Sequence, residues 1–308
     1  MPKKPRPVRP RVIVTRRLTP NVEQRMTELF DTVLNPSDTP MDRAALAAAM
    51  ADCDVLVPTL TDHLDAALLE AASERLQMIA NFGNGVDHID LAAARRKGII
   101  VTNTPGVLTD DTADMEMALI IAVPRRLAEG ERTLRAGEWQ GWSPSGLLGH
   151  RIGGKRLGII GMGRIGQAVA LRAAPFGLSV AYHNRHRLPE SVERATRATW
   201  IESLDELLST SDFVSINCPL NSDSRGMIDA RRIALLKPEA YLINASRAEV
   251  YDEEALIEAL ESGRIGGAGL DVFAHEPAVD PRLLTLCNVV LKPHMGSATI
   301  EGRDATGD

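Results

Sequence analysis

Residues able to do chemistry gather in four short stretches of the chain. Leu157-Gly158-Ile159-Ile160 reads as an apolar strand and runs directly into Gly161-Met162-Gly163-Arg164-Ile165-Gly166, after which 167–176 has a helical pattern. Between a strand and a helix, glycines at this spacing permit a tight turn, the approach of backbone to a pyrophosphate, and close packing of helix on strand. The helix N-terminus adds free N–H groups and positive partial charge for the phosphates. The other three stretches put ionisable residues just beyond strands, where doubly wound folds bind ligands. They are Asn244-Ala245-Ser246-Arg247, Asp271-Val272-Phe273-Ala274-His275-Glu276-Pro277 and Pro293-His294-Met295-Gly296-Ser297-Ala298-Thr299. Their ionisable side chains include Arg247, Asp271, His275, Glu276 and His294.

The strand after the glycine turn bears on which dinucleotide binds. It ends Tyr182-His183-Asn184-Arg185-His186-Arg187, with Asn184 18 positions beyond Gly166. An NAD-preferring site carries Asp or Glu about 20 residues on, to bind the ribose 2′-hydroxyl. Here a neutral Asn184 is followed by Arg185 and Arg187, and a guanidinium fork matches a 2′-phosphate that a carboxylate would repel. The residues therefore predict NADP as the preferred cofactor and NAD as the alternative. A solvated basic loop, indifferent to cofactor, is the plain structural reading.

These stretches need a scaffold of parallel strands. Strand patterns at 11–14, 55–57, 78–81 and 99–102 alternate with helix-like stretches at 22–30, 43–50, 65–71 and 91–97, and Gly98 is placed to stop the last. The stretch 112–135 reads as a long helix that Pro124 should kink or break. Beyond a glycine-rich loop holding Trp139 and Trp142, further strands are expected at 156–160, 178–182, 213–217, 241–244, 268–272 and 289–292. This alternation predicts an α/β protein of two doubly wound, Rossmann-like parallel-sheet domains. The boundaries drawn are 1–105 with 292–308 for a discontinuous substrate domain and 106–291 for the dinucleotide-binding domain.

Composition agrees with two ordinary globular domains. The chain has 308 residues, 44% hydrophobic and 25% charged, at about 150 residues per domain. With 35 Lys and Arg against 41 Asp and Glu, the formal charge is −6, which argues against nucleic acid as the main partner. No apolar stretch resembles a signal-peptide core or a membrane span. Lys3, Lys4, Arg6, Arg9 and Arg11, interleaved with Pro2, Pro5, Pro7 and Pro10, read as a frayed tail, since such prolines prevent a targeting helix. Cys53, Cys218 and Cys287 are too scattered for a disulfide framework or zinc site and suit a reducing cytoplasm. His183, His186 and His275 lack acidic or cysteine neighbours at ligand spacing, so no metal is expected.

With these motifs in order, the chain resembles the D-isomer-specific 2-hydroxyacid dehydrogenases, closest to the glyoxylate/hydroxypyruvate reductase branch. The likeness also takes in Asn81-Phe82-Gly83-Asn84-Gly85-Val86-Asp87-His88-Ile89-Asp90 and Cys218-Pro219-Leu220. It implies reduction of a small 2-keto acid, with His294 as general acid and base and Glu276 holding its ring. Arg247 would bind the substrate carboxylate and polarise the carbonyl, and the backbone amides of Asn84 and Gly85 would hold the carboxylate's other side. Arg164 and Ile165 would meet the pyrophosphate and Asp271 the nicotinamide amide. Thr112, Cys218, Pro219, Ala245, Ser246 and Ser297 are implied nearby. Trp142 either lines a substrate pocket, across the interface of an implied homodimer, or simply packs.

Taken singly, Arg247 could be a surface ion-pair partner, His294 a core histidine and Glu276-Pro277 a strand end. Jointly, in family order, they favour chemistry. Two relatives offer rival readings: D-3-phosphoglycerate dehydrogenase, and the dinucleotide-sensing C-terminal-binding corepressors, to which only the basic tail leans. Where the family has Arg-Gly and then Val-Asp, this chain has Arg247-Ala248-Glu249-Val250-Tyr251-Asp252. An alanine forced to positive φ at 248 would be strained. Residues 298–307 read as the shortened start of the helix that, in the family, returns to the first domain.

Overall fold

The computed structural model describes residues 9–308. It divides into two compact units, one ending at Leu108 and resuming at Ala298–Asp308, the other spanning Thr109–Ser297. The tail read from Lys3, Lys4 and Arg6 lies outside the described residues. Among those described, no helix is long and apolar enough to cross a membrane.

In the first unit the strands β1 (Arg11–Val14), β2 (Asp31–Val33), β3 (Val55–Val57), β4 (Met78–Ala80) and β5 (Ile100–Thr102) form one parallel sheet in the order β2-β1-β3-β4-β5. The β-branched runs Val12-Ile13-Val14 and Val55-Leu56-Val57 occupy its centre, buried on both faces as a helix-covered parallel sheet requires. Helices α1 (Pro20–Leu29), α2 (Arg43–Asp52), α3 (Ala66–Glu70) and α4 (Leu91–Arg96) make the crossovers. Asp42, Asp65 and Asp90 cap the last three by accepting backbone N–H bonds from Ala45, Leu68 and Ala93. Gly98, at φ +71°, ends α4 as expected. The final helix, Ile300–Gly307, packs on α1: Asn21 Nδ2 donates to Asp304 at 2.8 Å, and a Cβ on Gly307 would meet Val22 at 2.3 Å.

In the second unit β6 (Arg156–Ile160), β7 (Ser179–His183), β8 (Ala198–Trp200), β9 (Phe213–Ile216), β10 (Tyr241–Asn244), β11 (Gly267–Leu270) and β12 (Val289–Leu291) form a parallel sheet ordered β12-β11-β10-β9-β6-β7-β8. The order reverses between β6 and β9, and their C-terminal ends are where a ligand crevice opens in this topology. Leu157 and Ile159 pack into one hydrophobic layer, Ile160 and Ile216 into the opposite one. The stretch read as one long helix is two, α5 (Thr109–Ala122) and α6 (Leu127–Arg135), with Pro124 in the break and Arg126 at φ +53°. Helix α7 (Arg164–Ala173) follows β6 across the glycine turn.

Residues 292–297, assigned from sequence to the first domain, belong to the second unit. The reason is local. Lys292 N donates to Leu270 O at 2.8 Å and His294 N to Asp271 O at 2.9 Å, so this segment continues the β12 edge of the larger sheet.

Candidate active site

The glycine turn is built as its sequence demands. Gly161 has φ +94°, and a Cβ on it would lie 2.6 Å from Cys218 N and 2.7 Å from Asn217 C, so the backbones after β6 and β9 touch there. A Cβ on Gly166 would lie 2.4 Å from Gly161 O, which sets α7 against the turn. Gly163 has open space around its missing side chain. Arg164 and Ile165 open α7, where first-turn N–H groups have no helical acceptor. A backbone cradle at a ten-residue helix N-terminus, beside the sheet's reversal point, fits the pyrophosphate of a dinucleotide.

Asn184 closes the cradle, because its Oδ1 accepts from Met162 N at 2.7 Å. The two arginines that follow differ. Arg185 is 75% exposed and paired with Asp223 at 2.8 Å. Arg187 is clamped by Glu193 through bonds of 2.9 and 2.7 Å and lies over the Trp200 ring at 5.9 Å. Glu193 also accepts from Tyr182 Oη, which in turn accepts from Leu188 N. Both arginines are thus ion-paired, Arg187 by two bonds with 59% of its side chain exposed and Arg185 by one as the more exposed of the two.

The three strand-end stretches place their ionisable groups by hydrogen bonds within and between them. Buried Asn244 makes an Asx-type turn after β10. Its Oδ1 accepts from Ser246 N and Oγ at 2.8 and 2.9 Å, and its Nδ2 donates to Arg247 O at 2.9 Å. Ala248 opens a 3₁₀ turn and is not at positive φ, so the departure from glycine adds no backbone strain. The residue that does adopt a left-handed conformation is His294, at φ +50°.

Asp271, fully buried, holds that turn, accepting from Met295 N at 2.8 Å and Gly296 N at 2.6 Å. Burial raises its pKa, against the pull of those two amides. Gly296 leaves the room this needs, since a Cβ there would lie 2.9 Å from Asp271 Oδ2 and 3.8 Å from both Ala245 and Thr112.

His294 Nδ1 and Glu276 Oε2 are 2.8 Å apart, with side chains 26% and 29% exposed. Glu276 is oriented in turn by Phe273 N, which donates to Oε1 at 3.0 Å. Burial works to raise the Glu276 carboxyl, but the bond and charge of His294, the Phe273 amide and the charge of Arg247 outweigh it. Glu276 is thus held below the ordinary carboxylate range, and Arg247 lies close enough for its charge to act there. The ring's other nitrogen, Nε2, makes no hydrogen bond among the described residues.

The remaining predicted residues are distributed around this framework. Thr112 is buried in the first turns of α5, Cys218 and Pro219 follow β9, and burial pushes the Cys218 thiol up to about 11. Ser297 is the last residue of the unit. Trp142 is 85% exposed in the loop after α6, which also exposes Trp139 and Leu148.

In the first unit, Asn81 Nδ2 ties down the carbonyls of Gly83 and Gly85 at 3.0 and 2.9 Å, and Asn103 Nδ2 ties down that of Asn84 at 2.7 Å. With the carbonyls turned inward, the amides of Asn84 and Gly85 have no acceptor among the described residues. Glu116 and Asn217, bonded to each other at the end of β9, went unpredicted. The signal available was an acid on the apolar face of α5, one turn beyond Thr112.

Residues 117–296 match the family model for the D-isomer specific 2-hydroxyacid dehydrogenase NAD binding domain. A glyoxylate reductase from Thermococcus litoralis is 43% identical over 98% of this chain and 91% of its own length. Among solved structures, an NADPH-dependent glyoxylate/hydroxypyruvate reductase from Sinorhizobium meliloti in complex with NADP and malonate is 36% identical. It superposes with a TM-score of 0.86 over 97% of this chain and 91% of its own. A glyoxylate reductase from Paecilomyes thermophila is 32% identical, with a TM-score of 0.85 over 97% and 92% of the two chains.

Proposed function

The chain belongs to the D-isomer-specific 2-hydroxyacid dehydrogenase family and is an NAD(P)-dependent oxidoreductase. From that premise we propose that it reduces a small 2-keto acid, glyoxylate or hydroxypyruvate, to the 2-hydroxy acid, with NADPH preferred. The observation carrying the catalytic reading is the 2.8 Å bond between His294 Nδ1 and Glu276 Oε2. It fixes the ring and leaves Nε2 to hand a proton to the substrate oxygen as that oxygen becomes an alkoxide, and to recover it in the oxidative direction. Arg247 binds the carboxylate and polarises the carbonyl through a planar fork that lysine cannot copy. A bound reduced dinucleotide supplies the hydride.

Asp271, Ala245, Thr112 and Ser297, with Ser246, Cys218 and Pro219, are the residues assigned to the nicotinamide half. In the first unit, Asn84 and Gly85 are assigned to an anion on the strength of their unpaired amides. Relatives named as glyoxylate reductases support the substrate class. A panel of 2-keto acids with both reduced cofactors is the test, and no turnover of glyoxylate or hydroxypyruvate with either would remove the reading.

The NADP preference rests on Asn184 standing where a carboxylate would repel a 2′-phosphate, with Arg185, the more exposed of the two arginines, beside it. We expect kcat/KM with NADPH to exceed that with NADH by roughly tenfold or more, a bidentate phosphate contact being among the strong hydrogen bonds. Arg185→Asp should abolish or invert the ratio. A wild-type preference for NADH would refute the assignment. Because Arg187 is neutralised by Glu193, its replacement should loosen the loop and weaken both cofactors together.

A homodimer is the proposed assembly. Trp142, Leu148, Leu134 and Trp139, on α6 and the loop after it, are 85%, 65%, 62% and 59% exposed, and exposed large apolar side chains grouped in one segment are what a subunit interface would cover. Sedimentation at micromolar concentration should give a dimer for wild type and a shift toward monomer for Trp142→Arg. A wild-type monomer there would refute it.

A further inference from the structure

One ionisable side chain of the second unit has no part in the reaction as described. Glu116 sits mid-way along α5 and is 1% exposed. Helix α5 lies over a register row formed by Ser215 of β9, Ile243 of β10 and Gly269 of β11. Gly269 lets the helix come close, for a Cβ there would meet Leu119 Cβ at 2.9 Å. At the Ser215 end of the row, Glu116 Oε2 accepts from Ser215 Oγ and, at 2.9 Å, from Asn217 Nδ2. Both partners are neutral, and a carboxyl buried without a cation is a costly choice where an apolar side chain would pack.

The groups facing it are few. On α5 itself Asp110 and Asp114 are exposed and paired with Arg172 of α7. Burial pushes Glu116 up to about 7 against the bonds from Ser215 and Asn217, and no other ion contributes.

Position supplies the purpose. Thr112 stands one helical turn before Glu116, and side chains four apart on a helix lie roughly 6 Å from each other. Thr112 in turn borders Gly296 together with Ala245 and Asp271. Those residues are the ones assigned above to the nicotinamide.

We propose that Glu116 is the buried counter-charge of the nicotinamide ring, its carboxylate favouring the oxidised, cationic ring and its neutral acid the reduced, uncharged one. The inference rests on the functional reading above. Hydride loss leaves the ring one charge more positive, so a carboxyl at this position releases its proton more readily with the oxidised form bound. By linkage, raising the pH through that titration favours the oxidised cofactor to the same degree.

Titration calorimetry of the full chain with NADP⁺ and with NADPH, between about pH 6 and 8.5, measures this directly. In wild type the ratio of Kd for NADP⁺ to Kd for NADPH should fall roughly tenfold as pH rises. In His294→Gln, where the imidazole no longer contributes, the ratio should still fall with pH, and adding Glu116→Gln to that variant should flatten it. Ser215→Ala in the same background, which removes a donor to the carboxylate, should move the midpoint to higher pH and serves if the Glu116→Gln double variant does not fold. A pH-independent ratio in wild type or His294→Gln, a trend that survives in the double variant, or an unmoved midpoint with Ser215→Ala overturns the proposal. Failure of wild type to bind either dinucleotide would instead overturn the cofactor reading, and the proposal with it.

Discussion

Replacing His294 with glutamine should lower kcat for keto-acid reduction by roughly a thousandfold, within the usual range for losing a general acid. The Kd for NADPH should stay within about twofold, since no pyrophosphate contact is touched. Glutamine can still donate to Glu276, so the turn clasped by Asp271 has no reason to rearrange; what is lost is a group that can give up a proton at Nε2. Glu276→Gln separates holding the ring from charging it. The amide keeps an acceptor opposite Nδ1 but removes the negative charge, and kcat should fall by a smaller factor, roughly ten- to a hundredfold.

The pH dependence of the pair follows from the same geometry. Because Glu276 is held below the ordinary carboxylate range, its bond to the ring is fully present above the carboxyl's unfolded value of 4.5 and is lost only as pH falls through the lower folded value. Activity at about pH 5 should therefore not be limited by protonation of Glu276. A His294→Gln variant with kcat within threefold of wild type would remove the imidazole from the mechanism, whatever the bond length.

How much of this could be read without coordinates depended on whether a residue's role is settled by its neighbours in sequence. The strands at Arg11–Val14, Val55–Val57, Arg156–Ile160 and Tyr241–Asn244 fall where the apolar runs put them, because a strand buried on both faces is a continuous hydrophobic word ended by a turn. The edge strands Asp31–Val33 and Ala198–Trp200 were not legible: three residues with little burial leave no period to detect.

The glycine turn was legible because each glycine answers a local need. Arg187 was misleading because its partner, Glu193, lies six residues on across a bend, and only folding brings the clamp together. Glu116 was invisible because Ser215 and Asn217 reach it from nearly a hundred residues away. The positive φ feared at Ala248 occurs instead at His294, where Asp271 and its bonds to residues 294–296 hold the backbone. A local pattern can announce a strained turn, but long-range bonds decide which residue bears the strain.

The second large effect should come from the glycines, and it divides them into two kinds. Gly161→Ala puts a Cβ within 2.8 Å of three backbone atoms of Asn217 and Cys218, at φ +94°. None of the three can swing aside. Strands β6 and β9 are locked in register from Leu157 opposite Phe213 to Ile160 opposite Ile216, and Asn217 N donates to Ile160 O at 2.7 Å. The left-handed backbone costs about 1–2 kcal/mol for alanine and the overpacking about 1–3 kcal/mol more. A second-unit Tm should accordingly fall by roughly 5–10 °C.

Gly163→Ala is the contrasting case. Its φ is −78° and nothing lies within 4 Å of the added carbon, so the fold should melt as wild type does. On the proposed cofactor reading, that open space is the approach of a pyrophosphate to the first N–H groups of α7, and the methyl group would occupy it. Dinucleotide affinity should drop by roughly tenfold or more with Tm unchanged. Scanning calorimetry and dinucleotide titration on the two variants decide the matter. If Gly163→Ala binds like wild type, the turn is an architectural feature of the sheet and the cofactor's phosphates are held elsewhere.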